Sequence, residues 1–190
     1  AQGLRAKVDF DDEERAVVVR LTPDPTCGET ALARAIPSRQ CTKARYDGSA
    51  LDREDLATLD RAGTGEGVRV ILLTDDDHKR AVTEFVNRGN KDQLSDPAWR
   101  DELFSWIRSN DRESLETGDG LSGRTSGQPS VPTWLARLLL PVLVRPKSQM
   151  KTDAANIRSS AGVAVFVTKD DDAAAWVDAG RCYERFALQA

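Results

Sequence analysis

The sequence is poor in the side chains that carry most metal and nucleophile chemistry: one histidine, three cysteines and one methionine in 190 residues. A Ser-His-Asp site would have to be built on His78, which stands at a charged helix start, and no G-x-S-x-G turn accompanies it. A solvated surface residue is the simpler reading of His78. Cys27, Cys41 and Cys182 are odd in number and form no CxxC, so neither a disulfide framework nor a zinc site is supported. A reducing compartment, hence the cytoplasm, is expected. The P-loop glycine pattern is absent as well, and the one G-x-G-x-x-G, "GDGLSG" at 118–123, stands in a Gly-, Ser- and Thr-rich stretch without the strand before it and helix after it that a Rossmann site needs. Long hydrophobic runs are also missing. The most apolar stretch, "VPTWLARLLLPVLV" at 131–144, is broken by Arg137 and Pro141. It falls short of the roughly 20 residues a membrane span needs, so no membrane partner is expected.

What is present is an ordinary globular balance. Apolar residues make up 39 % and charged residues 31 %, enough apolar material for one real core. The formal net charge of -4 argues against broad nucleic-acid binding, although it leaves room for a local basic patch.

Periodicity and punctuation divide the chain. "AKVDFDDEERAVVVRL" reads as two strands joined by an acidic turn, and "ETALARAIPS" as a short helix ended by Pro37. "LDREDLATLDRAG" reads as a helix capped by Asp52 and closed by Gly63. "VRVILLT" at 68–74 suits a strand buried on both faces. "DDDHKRAVTEFVNRG" predicts a helix with Ala81, Val82, Phe85 and Val86 on its apolar face, stopped at Gly89. Asp96 before Pro97 opens the next helix, where Trp99, Leu103, Trp106 and Ile107 share a face and read as core. Residues 117–130 form a Gly-, Ser- and Thr-rich loop, and an apolar helix follows at 131–144. "AGVAVFVT" at 161–168 is a second buried strand. The final helix starts near Asp170 and puts Trp176, Ala179, Tyr183, Phe186, Ala187 and Ala190 on one face.

"VRVILLTDDD" at 68–77 echoes "VAVFVTKDDD" at 163–172 without a gap. Each acidic triplet has two readings. It binds a divalent cation, or its carboxylates face the positive end of a helix dipole. The helix-start reading is favoured, because both triplets occupy the same context.

The stretch with the most chemical content is "RQCTKARYDG" at 39–48. In an extended segment Arg39, Cys41 and Lys43 point to one side, because the side-chain period is two. A guanidinium fork, an ammonium and a small donor between them suit a phosphate. The alternative is a solvated basic turn.

"RQCTKARYDGSAL" resembles the R-x-S-x-[RK]-x-[FY] element of the nitroreductase superfamily, with Tyr46 one place later than the pattern asks. "SAGVAVFVTKDDDAAAWVDAGRCYERFALQA" is similar to that superfamily's strand and central helix. "DELFSWIRSN" and "DGLSGRTSGQP" look like the variable middle of its Acg-like, FMN-binding branch. The resemblance implies an α+β fold, a mixed sheet flanked by helices. It also implies FMN as cofactor, NAD(P)H as hydride donor and an electron-poor acceptor. Carried over by position, Arg39, Cys41 and Lys43 hold the FMN phosphate, with Cys41 where Ser or Thr is usual. Catalysis then needs no side-chain acid or base, since the flavin carries the chemistry. The pairing of halves is either a dimer or an intrachain pseudo-dimer. The family's N-x-Q-P-W segment and its C-terminal flavin segment have no counterpart here. Residues 1–190 are therefore expected to be one nitroreductase-like region, an incomplete domain from the middle of a longer protein. Two rival readings stand beside this one: a non-catalytic FMN holder, and a flavin-free interaction domain.

Overall fold

A computed structural model describes residues 3–39, 45–122, 130–143 and 146–190. In chain order its elements are β1 (Leu4–Asp11), β2 (Ala16–Pro23), α1 (Ala31–Ala35), α2 (Arg53–Gly63), β3 (Val68–Leu73), α3 (Asp76–Ser95), α4 (Pro97–Trp106) and β4 (Ile107–Arg108). They continue with α5 (Asp111–Thr117), β5 (Leu121–Ser122), α6 (Thr133–Leu143), α7 (Pro146–Ser159), β6 (Val163–Thr168) and α8 (Ala173–Gln189). A 3-10 turn, Ile36–Ser38, follows α1. The architecture is mixed α and β. The described strands form three separate two-stranded sheets, β1–β2 and β3–β6 antiparallel and β4–β5 parallel, where a single mixed sheet was expected.

The chain divides into two compact units. The first holds residues 1–41, 50–73 and 163–190. Its hairpin runs in register from Leu4 opposite Pro23 to Asp11 opposite Ala16. The Asp11 carboxylate accepts the amides of Glu13 and Glu14 and so shapes the acidic turn. The core of this unit lies beside β3 and β6, the two strands of the sequence echo, which pair from Val68 opposite Thr168 to Leu73 opposite Val163. That register sets Val70 across from Phe166, and β3, β6, α2 and α8 pack on one another. The Phe166 ring meets Tyr183 and Phe186 edge to face, at centroid distances of 5.9 and 5.7 Å. Gly63 lets α2 approach: a β-carbon there would lie 3.0 Å from the Val70 side chain and 3.1 Å from Phe186.

Two expectations are corrected in this unit. β3 is not buried on both faces, because Val68 and Val70 are buried while Arg69 and Ile71 are exposed. The helices of this unit cover one face of a two-stranded sheet, so burial alternates with the pleat. α8 is rotated relative to the expected face. Cys182 is its buried residue, whereas Trp176 is 60 % exposed and Tyr183 half exposed. The Trp176 indole donates to the Asp171 carboxylate at 2.8 Å, which satisfies it at the surface.

The second unit holds residues 42–49 and 74–162. Here α3 packs on α7, a helix the sequence reading did not find. Lys79, Val82, Val86, Asn90 and Leu94 of α3 are buried or half-buried, at the spacing of three or four that one helix face requires. Asn90 donates to Asp153 of α7 at 2.7 Å, and the buried Lys79 reaches the Ser160 carbonyl at 3.5 Å. Phe85 is 68 % exposed, not part of the apolar face, and Arg88 lies over its ring at 4.5 Å. The helix also runs through Gly89 to Ser95. A lone helical glycine costs about 1 kcal/mol, and packing on α7 outweighs it. α4 starts as expected, with Asp96 capping and Pro97 at the first turn.

The Phe166 cluster yields a stability prediction. Phe166→Ala removes a ring that touches two others and should lower stability by about 2–4 kcal/mol. A urea titration followed by circular dichroism checks it, and an unchanged midpoint would show that the ring cluster does not hold β6 to α8.

Candidate functional site

The first residue of the cationic segment, Arg39, stands where helical backbone turns extended. Thr30 caps α1, its hydroxyl accepting the Ala33 amide at 3.1 Å. Pro37 lies within the 3-10 turn, and the Arg39 amide closes the segment onto the Ala35 carbonyl at 3.0 Å. Arg39 itself has φ -64 and ψ 131. Its Nε lies 3.5 Å from Glu184 Oε1 of α8, with the two side chains 31 % and 48 % exposed. Cys41 and Lys43, the other two expected phosphate ligands, lie outside the described residues. Tyr46 belongs to the second unit, where its amide donates to the Ser159 hydroxyl at 3.1 Å.

Glu184 and its neighbour Arg185 were not singled out in the sequence. Arg185 Nε donates to the Ala62 carbonyl and its NH2 to the Thr64 carbonyl, both at 3.2 Å. It thereby serves the orphan carbonyls at the end of α2, where a cation also suits the helix dipole. The Cys182 sulfur accepts from the same guanidinium at 3.1 Å. A groove of about 460 Å³ lies beside this helix, lined by Val8, Phe10, Gly65, Arg181, Cys182 and Arg185 among others. Arg39 does not line it.

The acidic triplets act as helix starts. Asp75 caps α3, its carboxylate accepting the His78 amide at 3.0 Å and meeting the His78 ring at 2.5 Å. Asp76 pairs with Lys79, and Asp77 pairs with Arg80. Asp172 caps α8 by accepting the Ala175 amide at 2.8 Å. Among the described residues no group of three or more His, Cys, Asp or Glu is arranged to hold a metal ion. His78 is exposed, in agreement with a surface role.

The start of the Gly-rich loop is built rather than plain. Gly118 ends α5 in the left-handed conformation. Gly120 has φ +78, and a β-carbon there would lie 2.5 Å from the Trp106 carbonyl, so only glycine fits. Arg108 reaches Asp119 at 2.7 Å, and Glu113 accepts the Ser109 amide and hydroxyl at 3.0 Å. Burial pushes the Glu113 carboxyl up. The Ser109 amide and hydroxyl, the Thr133 hydroxyl and the Arg108 charge outweigh it, and the group ends below its ordinary value. Residues 123–129 of the loop lie outside the described residues. Trp99 is half-buried and Trp106 exposed by 47 %, so the core reading of that pair holds for Trp99 alone. Among the described residues no helix is long and apolar enough to cross a membrane.

No protein-family model, no curated protein and no solved structure matches this chain.

The Asp75 cap yields a pH prediction. The His78 amide and then the His78 ring hold the Asp75 carboxyl down to about 2 from an ordinary 3.8. A carboxyl whose folded pKa lies below its unfolded value contributes stability that is fully present above the unfolded value. That contribution is lost as the pH falls toward 2. Urea midpoints between pH 5 and about 2 should therefore fall less steeply for Asp75→Ala than for the parent chain. Parallel curves would show that the cap does not couple to folding.

Proposed function

We propose that this chain belongs to an FMN-dependent oxidoreductase of the nitroreductase kind, which passes hydride from NAD(P)H to an electron-poor acceptor. One observation supports the reading most. Arg39, the first residue of the cationic stretch, and the helix "GRCYERFALQA", which both carry the resemblance, lie in one unit, with Arg39 and Glu184 in contact. Of the three expected phosphate ligands, Arg39 lies among the described residues, and a guanidinium suits a phosphate. The Arg39 guanidinium is partly exposed and already holds an oxyanion, the Glu184 carboxylate, which stands in for a phosphate oxygen.

In this reading Arg39, Cys41 and Lys43 hold the FMN phosphate, and the flavin when bound supplies hydride acceptance and release. The role of this chain is to bind and orient. Arg39 gives a fork fixed by the closed 3-10 turn behind it, Lys43 a point charge, and Cys41 a weak donor between them. The nitroreductase-like fold and the pairing of two halves follow from the same resemblance, a cytoplasmic location follows from the cysteine usage, and all three stand as parts of the proposal.

One observation favours a second reading, a flavin-free interaction domain. Val17, Val19 and Leu21 form an exposed apolar stripe along β2. The absorbance spectrum of the whole natural polypeptide separates the two. Flavin bands support the oxidoreductase, and a colourless protein that yields no FMN on extraction favours the interaction domain.

Arg39→Glu should leave the fold intact and weaken FMN binding about ten- to a hundredfold, since each lost charge-assisted bond is worth about 1.5–3 kcal/mol. Stoichiometric FMN retained in this variant would remove Arg39 from the phosphate site. Cys41→Ser should bind FMN equally well or more tightly in a fluorescence titration, because a hydroxyl is the better donor. Clearly weaker binding would place the thiol against apolar groups instead.

A further inference from the structure

We infer that Glu184 is the resident counter-ion of Arg39 and sets the charge a ligand must carry to enter; this rests on the reading of Arg39 as a phosphate anchor. Glu184 Oε1 lies 3.5 Å from Arg39 Nε, and both side chains reach solvent. A pair at that distance and exposure is weakly held. The helix beneath it is not, because the adjacent Arg185 is bonded to two carbonyls beyond α2 and within its last turn. Glu184 can therefore leave Arg39 by turning its own side chain, without moving α8.

The consequence is competition between anions. A carboxylate brings one negative charge to the guanidinium, whereas a phosphate monoester brings about -1.5 to -2 at neutral pH with three acceptor oxygens. The monoester displaces Glu184, and singly charged anions do not. Glu184 thus pairs with Arg39 when no ligand is present, and as a competitor for the guanidinium it screens out singly charged anions while lowering the affinity for FMN itself. The ligand class this contact selects is the dianionic phosphate monoester.

The test compares FMN with riboflavin, which has the same ring system and lacks the phosphate. Both are titrated by flavin fluorescence into the whole natural polypeptide, stripped of bound flavin, as the parent chain, Glu184→Gln, Glu184→Ser and Arg39→Glu. Circular dichroism confirms the fold of each. Glu184→Gln and Glu184→Ser should bind FMN about two- to fivefold more tightly, the scale of an exposed ion pair, with riboflavin unchanged. The preference for FMN over riboflavin then rises by that factor. A preference that is unchanged or lower in both Glu184 variants, while Arg39→Glu abolishes it, overturns the role of Glu184 and leaves the anchor standing. If the parent chain and every variant bind FMN and riboflavin alike, or bind neither, the anchor reading fails and this inference with it.

Discussion

The antiparallel pairing of β3 with β6 is the constraint on which the first unit depends. The two strands come from distant parts of the chain, and their register alone decides that Val70 faces Phe166. That placement creates one apolar strip, and α2 and α8 pack against the strands that carry it, α2 closely because Gly63 has no side chain. Once α8 lies there with Cys182 inward, the helical period sets where its other residues point. Arg185 reaches the end of α2, and Glu184 reaches Arg39 beyond α1. The contact that supports the functional proposal is thus a consequence of strand register two layers away.

The acidic character of the chain finds its use in helix starts. Asp52, Asp75, Asp96 and Asp172 each accept an amide at the first turn of a helix, and Asn110 does the same for α5. A carboxylate there satisfies donors that the helix leaves open and faces the positive end of its dipole. This accounts for the twin acidic triplets without a metal ion. It also explains why the echo between 68–77 and 163–172 exists at all. Two paired strands each hand over to a helix, and both junctions solve the same capping problem with the same residue type.

Taken alone, the first unit leaves apolar strand surface in view. Val17, Val19 and Leu21 are exposed on the hairpin, and Ile71, Val165 and Val167 on the outer face of β3–β6. A two-stranded ribbon has little area to bury its own side chains, so exposure on one face follows from strand number. The same arithmetic of layers explains the one-sided burial of β3. A run that is apolar at almost every position can be buried on both faces only if something covers both.

Local chemistry could be read from the residues in order. The hairpin, the caps at Asp52 and Asp96, the stop at Pro37 and the two apolar strands are set by side-chain period, ring closure and hydrogen bonds that span a few residues. Those effects travel with the sequence wherever the segment is placed. Non-local facts could not be read that way. The extension of α3 past Gly89, the existence of α7, the exposure of Phe85 and Trp176 and the burial of Cys182 all depend on which element packs against which. A helix with several apolar residues offers more than one face, and only its neighbour selects among them. The candidate site shows the same division. Arg39 was recognisable from its spacing within a cationic stretch, because that signal is local. Glu184 was not, since nothing in "GRCYERFALQA" says which of its charged residues will meet an arginine of α1's far end until the helix has been laid against β3 and β6.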